Sequence, residues 1–267
     1  MMLDKTQRSE HFEFGENWRD YANSIDQRRI DSAVAGVRKL LPDGLDGKTV
    51  LDIGSGSGLH SLAALSLGAA SVTAIDIDEN SVSTTRDLLE KYAPGGNWTA
   101  TTTSVFDQSG AFDVVYSWGV LHHTGDMWHA IEKAAKLVKP GGLFCIAIYT
   151  KTPCDLFWKA EKRIYSRAPR PLQRMVRSVY MAALLTGIAI TGRNPVRYVK
   201  DYSQQRGMNF SHDAHDWLGG YPYETASAAE MRDYLAGLRL KEVRSFILRP
   251  TTGLFGAGCN EFVFEKA

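Results

Sequence analysis

Short apolar runs alternate with amphipathic stretches along most of the chain. Runs rich in β-branched and aromatic residues predict strands, and segments with apolar residues at helical spacing predict helices. The predicted strands are Thr49–Ile53, Val72–Ile75, Trp98–Thr103, Phe112–Ser117, Leu143–Ile148, Leu240–Leu248 and Glu261–Phe264. The predicted helices are Leu59–Leu67, Glu79–Tyr92, Met127–Val138 and Ala228–Leu238, with a further helical segment before residue 42.

This alternation predicts an α/β fold with a doubly wound, Rossmann-like sheet of seven strands, because strand–helix–strand units build parallel sheets with right-handed crossovers. The last two strands have no predicted helix between them, so we expect an antiparallel edge. Between strands five and six the alternation stops, which predicts a mostly helical insertion. The predicted domains are a helical lead-in at 1–47, the core at 48–149, the insertion at 150–226 and the completion of the sheet at 227–267.

The segment VLDIGSGSG, Val50–Gly58, combines an apolar strand with a glycine-rich turn that enters a predicted helix. Gly54, Gly56 and Gly58 have no Cβ atom, so the backbone turns sharply and comes close to a ligand. Asp76 ends the next strand, where a carboxylate accepts hydrogen bonds from ribose hydroxyls. The arrangement predicts a nucleoside site. A dinucleotide site and a glycine-rich turn without a ligand are the alternatives.

Charge is unevenly distributed behind a net value of +1. Residues 159–200 hold ten basic residues and one acid, which gives this segment +9 and the remainder −8. Inside it, the aliphatic stretch Met181–Ile190 is flanked by arginines at 174, 177, 193 and 197. We expect contact with something anionic. A lid helix, a dimer interface, a helix lying on an anionic membrane and a plain buried helix remain open.

The cysteines, the N-terminal sequence and the longer uncharged stretches indicate the cellular compartment. The three cysteines show neither metal spacing nor a disulfide framework, which favours a reducing compartment. The chain begins without the apolar run of a signal peptide. The uncharged, largely aliphatic stretch Ser178–Gly192 is short for a bilayer span. We therefore expect a cytoplasmic protein.

Two stretches resemble class I methyltransferases that use S-adenosyl-L-methionine. The pattern D-x-G-x-G-x-G at Asp52–Gly58 resembles their motif I, and Phe112–Tyr149, with LHH and LVKPGG, resembles their motifs IV to VI. The resemblance covers residues 48–148. The stretches FGENWRDYA, RGMNFSHDAHDWLGGYPYE and GCNEFVF look like one bacterial subgroup of these enzymes. The resemblance implies the cofactor S-adenosyl-L-methionine and a small-molecule acceptor.

The resemblance also implies a role at each matching position. Asp52 and the glycine turn hold the methionine part of the cofactor, and Asp76 holds the ribose. Ile77 and the residues after strand three lie against the adenine, and the Ser117 carbonyl faces the amino group. Trp18 either closes over the cofactor or packs within the first helix. The implied cofactor-binding residues are Trp18, Tyr21, Asp52, Gly54, Ser55, Gly56, Gly58, Asp76, Ile77, Val105, Phe106, Ser117 and Trp118.

Methyl transfer needs an aligned nucleophile and, for a hydroxyl or a protonated amine, a base. Histidine suits this task because its ordinary pKa lies near neutrality. The candidate catalytic residues are His122 and His123 after strand four, and His212 with Asp213 in the insertion. The alternative is that these histidines are structural.

Further polar and aromatic residues in and beside the insertion are candidates for acceptor binding. They are Tyr149, His215, Asp216, Tyr221, Tyr223 and Glu224. Two imidazoles and two carboxylates within five residues also resemble a metal site. Metal-dependent catechol methyltransferases instead take their ligands from core strands, where this chain has Trp118 and Gly119. We therefore expect no metal.

Three classes of function compete. The first is a small-molecule methyltransferase directed to oxygen or nitrogen, with the insertion as an acceptor lid and an anionic acceptor among the candidates. The second is a methyltransferase of RNA, protein or a membrane-associated glycan or lipid. At the end of predicted strand four the chain reads SWGV, which differs from the motif of enzymes that methylate amino groups of DNA. The basic segment also lacks the interleaved aromatic residues that are typical of RNA-binding surfaces. We therefore expect no nucleic-acid partner. The third is a non-enzymatic scaffold. Peripheral membrane contact through residues 174–197 and a homodimer are further predictions.

Overall fold

The computed structural model describes residues 25–206 and 210–267, and within these it describes the side chains except at 203–206 and 212. Trp18 and Tyr21, predicted to bind the cofactor, lie outside the described residues. For His212, the backbone is described within a helix, and its side chain is not.

One seven-stranded sheet organises the described residues, in the order β3-β2-β1-β4-β5-β7-β6. The strands are β1 Thr49–Ile53, β2 Ser71–Asp76, β3 Trp98–Thr102, β4 Phe112–Trp118, β5 Val138–Tyr149, β6 Leu240–Phe246 and β7 Cys259–Lys266. Strands β1 to β5 pair in parallel, and β7 pairs antiparallel with both β5 and β6. The predicted Rossmann-like sheet with its antiparallel edge is confirmed. Strand β7 lies between β5 and β6, so β6 is the edge strand.

Helices cover both faces of this sheet. They are α1 Gln27–Leu40, α2 Leu59–Ser66, α3 Glu79–Tyr92, α4 Met127–Lys136, α5 Asp155–Arg167, α6 Arg170–Ile190, α7 Pro195–Arg206, α8 Phe210–Gly219 and α9 Ala228–Gly237, with a 3₁₀ turn at Leu121–His123. One face of the sheet packs on α1 and α2, and the other packs on α4 and α9. Helices α5 to α8 lie between β5 and α9 in the chain, where the sequence predicts an insertion.

Side-chain caps fix the predicted helix starts. The Asp78 carboxylate accepts from the Asn80 N–H at 2.8 Å where α3 begins. At α9, Ser227 and Glu230 form a reciprocal capping box, with Ser227 N–H donating to the Glu230 carboxylate at 2.8 Å. Each cap satisfies N–H groups that have no partner inside the helix. These two starts agree with the prediction to the residue.

Strand β5 begins earlier than the sequence predicts. Leu143 was its expected start, after a turn at 139–142, but β5 begins at Val138. Phe112 pairs with Val138 and Val114 pairs with Leu143, so the residues between them bulge out of the ladder. The Lys139 ammonium donates to both Asp113 carboxylate oxygens at 3.0 Å and ties the bulge to β4. A contact across strands thus decides this boundary.

Candidate functional site

The carboxyl ends of the parallel strands bring the predicted motifs to one edge of the sheet. The glycine turn follows β1, Asp76 ends β2, Trp118 ends β4 and Tyr149 ends β5. Ligands of doubly wound sheets bind at this edge, where the strand order reverses. In this sheet the reversal lies between β1 and β4.

The glycine turn is held tightly against β2 and α3. The N–H groups of Gly54 and Ser55 both donate to the Ile75 carbonyl, at 2.7 and 3.1 Å. Gly56 has φ +54°, a left-handed conformation that favours glycine. A Cβ atom at Gly58 would lie 2.9 Å from Thr85 Cα, so the turn and α3 approach too closely for a side chain. The close approach of the turn to α3 therefore requires a residue without a side chain at Gly58.

Two acids flank the turn. The Ser61 hydroxyl donates to Asp52 at 2.6 Å, and the N–H groups of Gly56 and Asp78 donate to Asp76 at 3.1 and 3.0 Å. Burial raises the pKa of each carboxyl to about 6, because the charged form loses hydration that these hydrogen bonds replace only in part. The Asp76 charge raises the pKa of Asp52 further. Both acids are thus poised to gain from a ligand that donates hydrogen bonds or carries positive charge.

The raised pKa values of these acids determine how the free energy of unfolding changes with pH. An acid with a pKa near 6 in the folded state and 3.8 when unfolded binds its proton more tightly when folded. The free energy of unfolding therefore falls as pH rises from about 4 to about 6, and it stays lower above that window.

Replacing Asp52 with asparagine is expected to stabilise the ligand-free protein at pH 7 by about 1–3 kcal/mol, because asparagine carries no buried charge. The Ser61 hydroxyl keeps an acceptor. Urea unfolding at pH 7 and at pH 4 measures the effect, which should nearly vanish at the lower pH. Asp43→Asn, at an exposed acid, serves as the control and should change little. A destabilised Asp52→Asn protein at pH 7 would contradict the assigned burial cost.

The other predicted cofactor residues differ in accessibility. Ile77 is 45% exposed and Trp118 is 43% exposed, so both present apolar surface at the sheet edge. Val105 is buried in the core between the sheet and α4, and Phe106 lies half-buried against it. Ser117 is buried at the end of β4. Ile77 and Trp118 are thus more accessible to a ligand than the other residues of this set. The predicted roles of all of them remain proposals.

His122 is fully buried, and its environment does not favour a base. Its Nδ1 accepts a hydrogen bond from the Tyr149 N–H at 3.3 Å. Burial holds the pKa of this imidazole well below its ordinary value, and His123 and Lys162 lower it further. The neutral ring then carries its proton on Nε2, which makes that atom a donor. This environment does not favour the predicted role of His122 as a base, and that role stays a prediction.

His123 has the opposite arrangement. Its Nδ1 lies 2.8 Å from the Pro222 carbonyl oxygen, which only accepts, so Nδ1 donates and carries the proton. In the neutral ring Nε2 is then the atom able to take a proton. The ring lies in edge contact with Tyr149, at 5.5 Å between ring centroids. Of the two adjacent histidines, His123 is the one whose Nε2 lacks the proton in the neutral ring.

Aromatic rings from the insertion surround the end of β5. Tyr149 contacts His122, Trp217 and Tyr223, at 3.9, 5.3 and 5.5 Å between ring centroids. Trp217 belongs to α8, and Tyr223 follows it in the turn that leads to α9. The predicted acceptor residues Tyr149 and Tyr223 are thus brought together with both histidines of the 3₁₀ turn.

Three other predicted residues are engaged within the protein. The Tyr202 hydroxyl donates to Asp213 between α7 and α8. His215 Nδ1 lies 2.6 Å from the Tyr165 hydroxyl. Glu224 accepts from the Met127 N–H at 3.0 Å and so caps α4. The first two contacts lie within the insertion, and the third ties it to α4.

Asp216 and Tyr221 lie near the turn that carries Pro222. Both are half-buried, and the Asp216 carbonyl accepts from the Gly220 N–H at 2.9 Å. This hydrogen bond ends α8 and helps to place the loop whose Pro222 carbonyl binds His123. The two residues therefore lie close along the chain to Pro222, whose carbonyl is the partner of His123.

Sequence reasoning missed Lys162 and Trp158. Trp158, Lys162 and Tyr165 recur at helical spacing, so they share the inner face of α5. All three are buried, and Lys162 has no exposed surface. A lysine on an otherwise aromatic helix face was the signal available in the sequence.

Among the side chains that the structure describes, which leave out that of His212, no group of three or more His, Cys, Asp or Glu residues is arranged to hold a metal ion. The insertion carries the two imidazoles and two carboxylates that suggested such a site. Asp213 and His215 bind tyrosine hydroxyls instead.

Comparison with known proteins identifies the family. Residues 51–144 match the methyltransferase domain family. A ubiquinone biosynthesis O-methyltransferase of Rhizobium etli (strain CIAT 652) is 32% identical over 181 residues, which cover 63% of this chain and 73% of that protein. The chain belongs to the class I S-adenosylmethionine-dependent methyltransferases. The predicted family membership of this methyltransferase is thereby confirmed.

Other relatives of the methyltransferase match over a smaller share. A ubiquinone biosynthesis O-methyltransferase of Paramagnetospirillum magneticum is 34% identical over 47% of this chain and 50% of its own. The 27-O-demethylrifamycin SV methyltransferase of Amycolatopsis mediterranei is 27% identical over 55% of this chain and 57% of its own. The chain therefore spans about half the length of these two relatives.

A solved structure agrees on the fold of the methyltransferase. Magnesium protoporphyrin IX methyltransferase from Synechocystis PCC 6803, with bound S-adenosylhomocysteine, superposes with a TM-score of 0.54 at 17% identity. The match covers 100% of this chain and 90% of that one. The two proteins therefore share their fold.

Proposed function

We propose that this protein transfers the methyl group of S-adenosylmethionine to an oxygen or nitrogen atom of a small-molecule acceptor. The observation that carries the proposal is the juxtaposition of two features at one sheet edge. The glycine turn with its paired acids follows β1 and β2, and an aromatic cluster beside His123 follows β4 and β5. The first suits the cofactor, and the second suits an acceptor under residues 150–226.

The residues at the turn fit the cofactor. Asp76 accepts hydrogen bonds only from backbone N–H groups among the described residues, so its carboxylate has capacity for ribose hydroxyls. Asp52 and the turn from Gly54 to Gly58 would hold the methionine part, and Ile77 and Trp118 offer exposed apolar surface beside it. When bound, the cofactor supplies a methyl group that is already electrophilic because it is attached to a sulfonium.

The chain's own task is then to align the acceptor and to take a proton where one must leave. Proximity and orientation account for much of such an acceleration. We assign the proton to His123 Nε2, because the Pro222 carbonyl fixes the proton of the neutral ring on Nδ1. His212 with Asp213 remains a second candidate pair, although Asp213 already accepts from Tyr202.

Relatives favour a small acceptor over a macromolecule. Their names refer to ubiquinone biosynthesis and to a demethylrifamycin, and a further solved neighbour with a TM-score of 0.50 is a mitomycin 7-O-methyltransferase. None of the three cysteines, all of which the structure describes, forms a disulfide, and this agrees with the predicted cytoplasmic location.

A methyl-transfer assay tests the proposal. The protein is incubated with methyl-labelled S-adenosylmethionine and a metabolite extract treated with nuclease and protease. Labelled product of low molecular mass supports the proposal. Label that appears only when intact RNA or protein is added would support the macromolecular alternative. Failure to bind S-adenosylhomocysteine by calorimetry would contradict the enzymatic assignment itself.

We further propose that the insertion lies on an anionic lipid surface. Leu172, Met175, Val179 and Ile190 form one outward stripe along α6 and are 40–81% exposed. Leu156, Phe157, Ile164 and Val196 add exposed apolar surface on α5 and α7. Only Ile188 of α6 is buried, so the alternative of a plain buried helix is wrong.

Charge favours a lipid surface as the partner of this stripe. Arginines at 163, 167, 170, 174, 193 and 197 are exposed along the same helices and their connections. Apolar side chains framed by arginine suit the boundary between acyl chains and anionic headgroups. No helix among residues 25–206 and 210–267 is long and apolar enough to cross a membrane. A homodimer through the same stripe is the competing proposal.

Val179→Glu is expected to reduce binding to vesicles of phosphatidylglycerol at least tenfold, because it puts a charge where the stripe enters the lipid. Co-sedimentation with phosphatidylglycerol and with phosphatidylcholine vesicles measures the loss. Ser178→Glu adds the same charge one residue away, off the stripe, and should lose much less. If the protein is a dimer without vesicles and Val179→Glu makes it a monomer, the stripe is a subunit interface instead.

A further inference from the structure

Lys162 lies inside a cage of aromatic rings. Its Nζ is 3.7, 5.2 and 5.8 Å from the ring centroids of Trp217, Tyr223 and Trp158. The ammonium donates to the Trp217 carbonyl, and the side chain has no exposed surface. Ring faces attract a cation, but three rings and one carbonyl replace only part of the hydration of an ammonium.

No carboxylate of the described residues forms an ion pair with this ammonium. The carboxylate of its chain neighbour Glu161 is buried and makes no hydrogen bond in that part of the chain. Burial lowers the pKa of Lys162 and raises the pKa of Glu161, because each charged form loses water without gaining a close partner. A buried cation of this kind gains strongly from an anion that enters beside it.

Unpartnered donors lie in the same cluster. The Nε2–H of His122 and the hydroxyl of Tyr223 are buried, and neither has a hydrogen-bond partner among the described residues. Both rings contact Tyr149, at 3.9 and 5.5 Å between centroids. Lys162 lies close enough to His122 to lower the pKa of that imidazole. Buried donors without acceptors are rare in proteins, and a bound acceptor group is one explanation for them.

We propose that this Lys162 cage (Lys162, His122, Tyr149, Trp217 and Tyr223) anchors the acceptor through an ionised oxygen carried on a flat ring, as in a phenolate or an aryl carboxylate. Lys162 supplies the charge, His122 and Tyr223 supply hydrogen bonds, and the rings of Trp217 and Tyr149 pack on the flat ring. The anchored oxygen is distinct from the reacting atom, which lies towards His123. This inference rests on the proposed function for its place beside the reacting centre.

The rings close over Lys162 in this structure, so an occupant enters by displacing Trp217 or Tyr223. Trp217 is half-buried on α8 and Tyr223 lies in the loop that follows. Lys162→Met keeps the length of the side chain and replaces an unpaired charge with a thioether that packs well against aromatic rings. We therefore expect this variant to fold, with a melting temperature no lower than that of the parent.

Benzoate and benzamide test the anchor, because they differ mainly in the charge of the oxygen-bearing group. Calorimetry on the full chain saturated with S-adenosylhomocysteine should show benzoate binding at least tenfold more tightly than benzamide. Lys162→Met should lose that preference. Lys159→Met, on the exposed face of the same helix, should keep it.

4-Nitrophenol adds a spectroscopic reading, because its phenolate absorbs visible light and its neutral form does not. Below the pKa of the free phenol, the bound probe should be more ionised than the free probe. This gain should disappear in Lys162→Met and persist in Lys159→Met. Glu161→Gln should leave the gain intact or increase it, because it removes a nearby competing anion.

Equal affinity for benzoate and benzamide in the parent protein would overturn the proposal, as would the absence of binding by either probe. Unchanged selectivity in Lys162→Met would overturn it as well. Binding of S-adenosylhomocysteine is measured in the same preparations. A parent protein that fails to bind it contradicts the proposed function, whereas the benzoate preference still decides whether the cage holds an anion.

Discussion

Replacing His123 with alanine is expected to lower the turnover number at least 100-fold while changing the affinity for S-adenosylhomocysteine less than twofold. A positioned base contributes about 10²–10⁴ to a rate, and the Pro222 carbonyl presets the tautomer that makes Nε2 the proton acceptor. The rate of S-adenosylhomocysteine formation, with the acceptor that the methyl-transfer assay identifies, measures turnover. Calorimetry measures the affinity separately.

The pH profile separates a base from a packing residue. A base must be neutral to act, so the parent turnover number falls at low pH, and this acid limb should disappear in His123→Ala. His129→Ala is the matched control, because His129 is exposed on the first turn of α4 and pairs with Asp126 at 3.3 Å. If His123→Ala keeps turnover within threefold of the parent across pH 6–9, alignment alone drives the reaction.

Replacing Asp76 with alanine is expected to weaken S-adenosylhomocysteine binding at least tenfold. The variant loses hydrogen bonds to the ribose hydroxyls, and hydrogen bonds to a charged group contribute about 1.5–3 kcal/mol each. It also releases the Gly56 N–H, which donates to Asp76 at 3.1 Å and helps to hold the turn. Glu79→Ala removes a neighbouring exposed acid and should leave the affinity nearly unchanged.

The same carboxyl gives cofactor binding a pH dependence. Burial raises the pKa of Asp76 to about 6, so below that pH the ligand-free protein holds a proton that a hydroxyl-binding carboxylate must release. The affinity of the parent protein for S-adenosylhomocysteine should therefore fall about tenfold per pH unit below pH 6. The fall should be steeper if Asp52 must also lose a proton when the ligand binds. In Asp76→Ala this dependence should become shallower. Parent affinity that is constant from pH 7 to pH 5 would contradict the ribose role.

The sequence by itself determined the elements whose signals are local. The strand Thr49–Ile53 and the helix Glu79–Tyr92 were predicted with their observed bounds. The predicted start of α9 at Ala228 was observed as well, and in the structure Ser227 and Glu230 form a capping box there. Alternation of strands and helices predicted the sheet, and parallel pairing then brought the glycine turn and Asp76 together. Each of these depends on neighbours within a few residues or on the strict topology of parallel sheets.

Only the tertiary structure decided what depends on contacts between distant residues. The Tyr149 N–H donates to His122, whereas the Pro222 carbonyl accepts from His123. These two distant partners decide which histidine is better suited to act as a base. The early start of β5 follows from Lys139 and Asp113.

Contacts between distant residues also decide the burial of Lys162 and the exposure of the apolar stripe on α6. Lys162 appears as one of ten basic residues in its segment, and only packing against α8 and the following loop buries it. The stripe on α6 is apolar in the sequence whichever way it faces, and its exposure depends on where the other helices lie. Burial and hydrogen-bond partners are properties of the assembled chain, because each is supplied by residues far away in sequence.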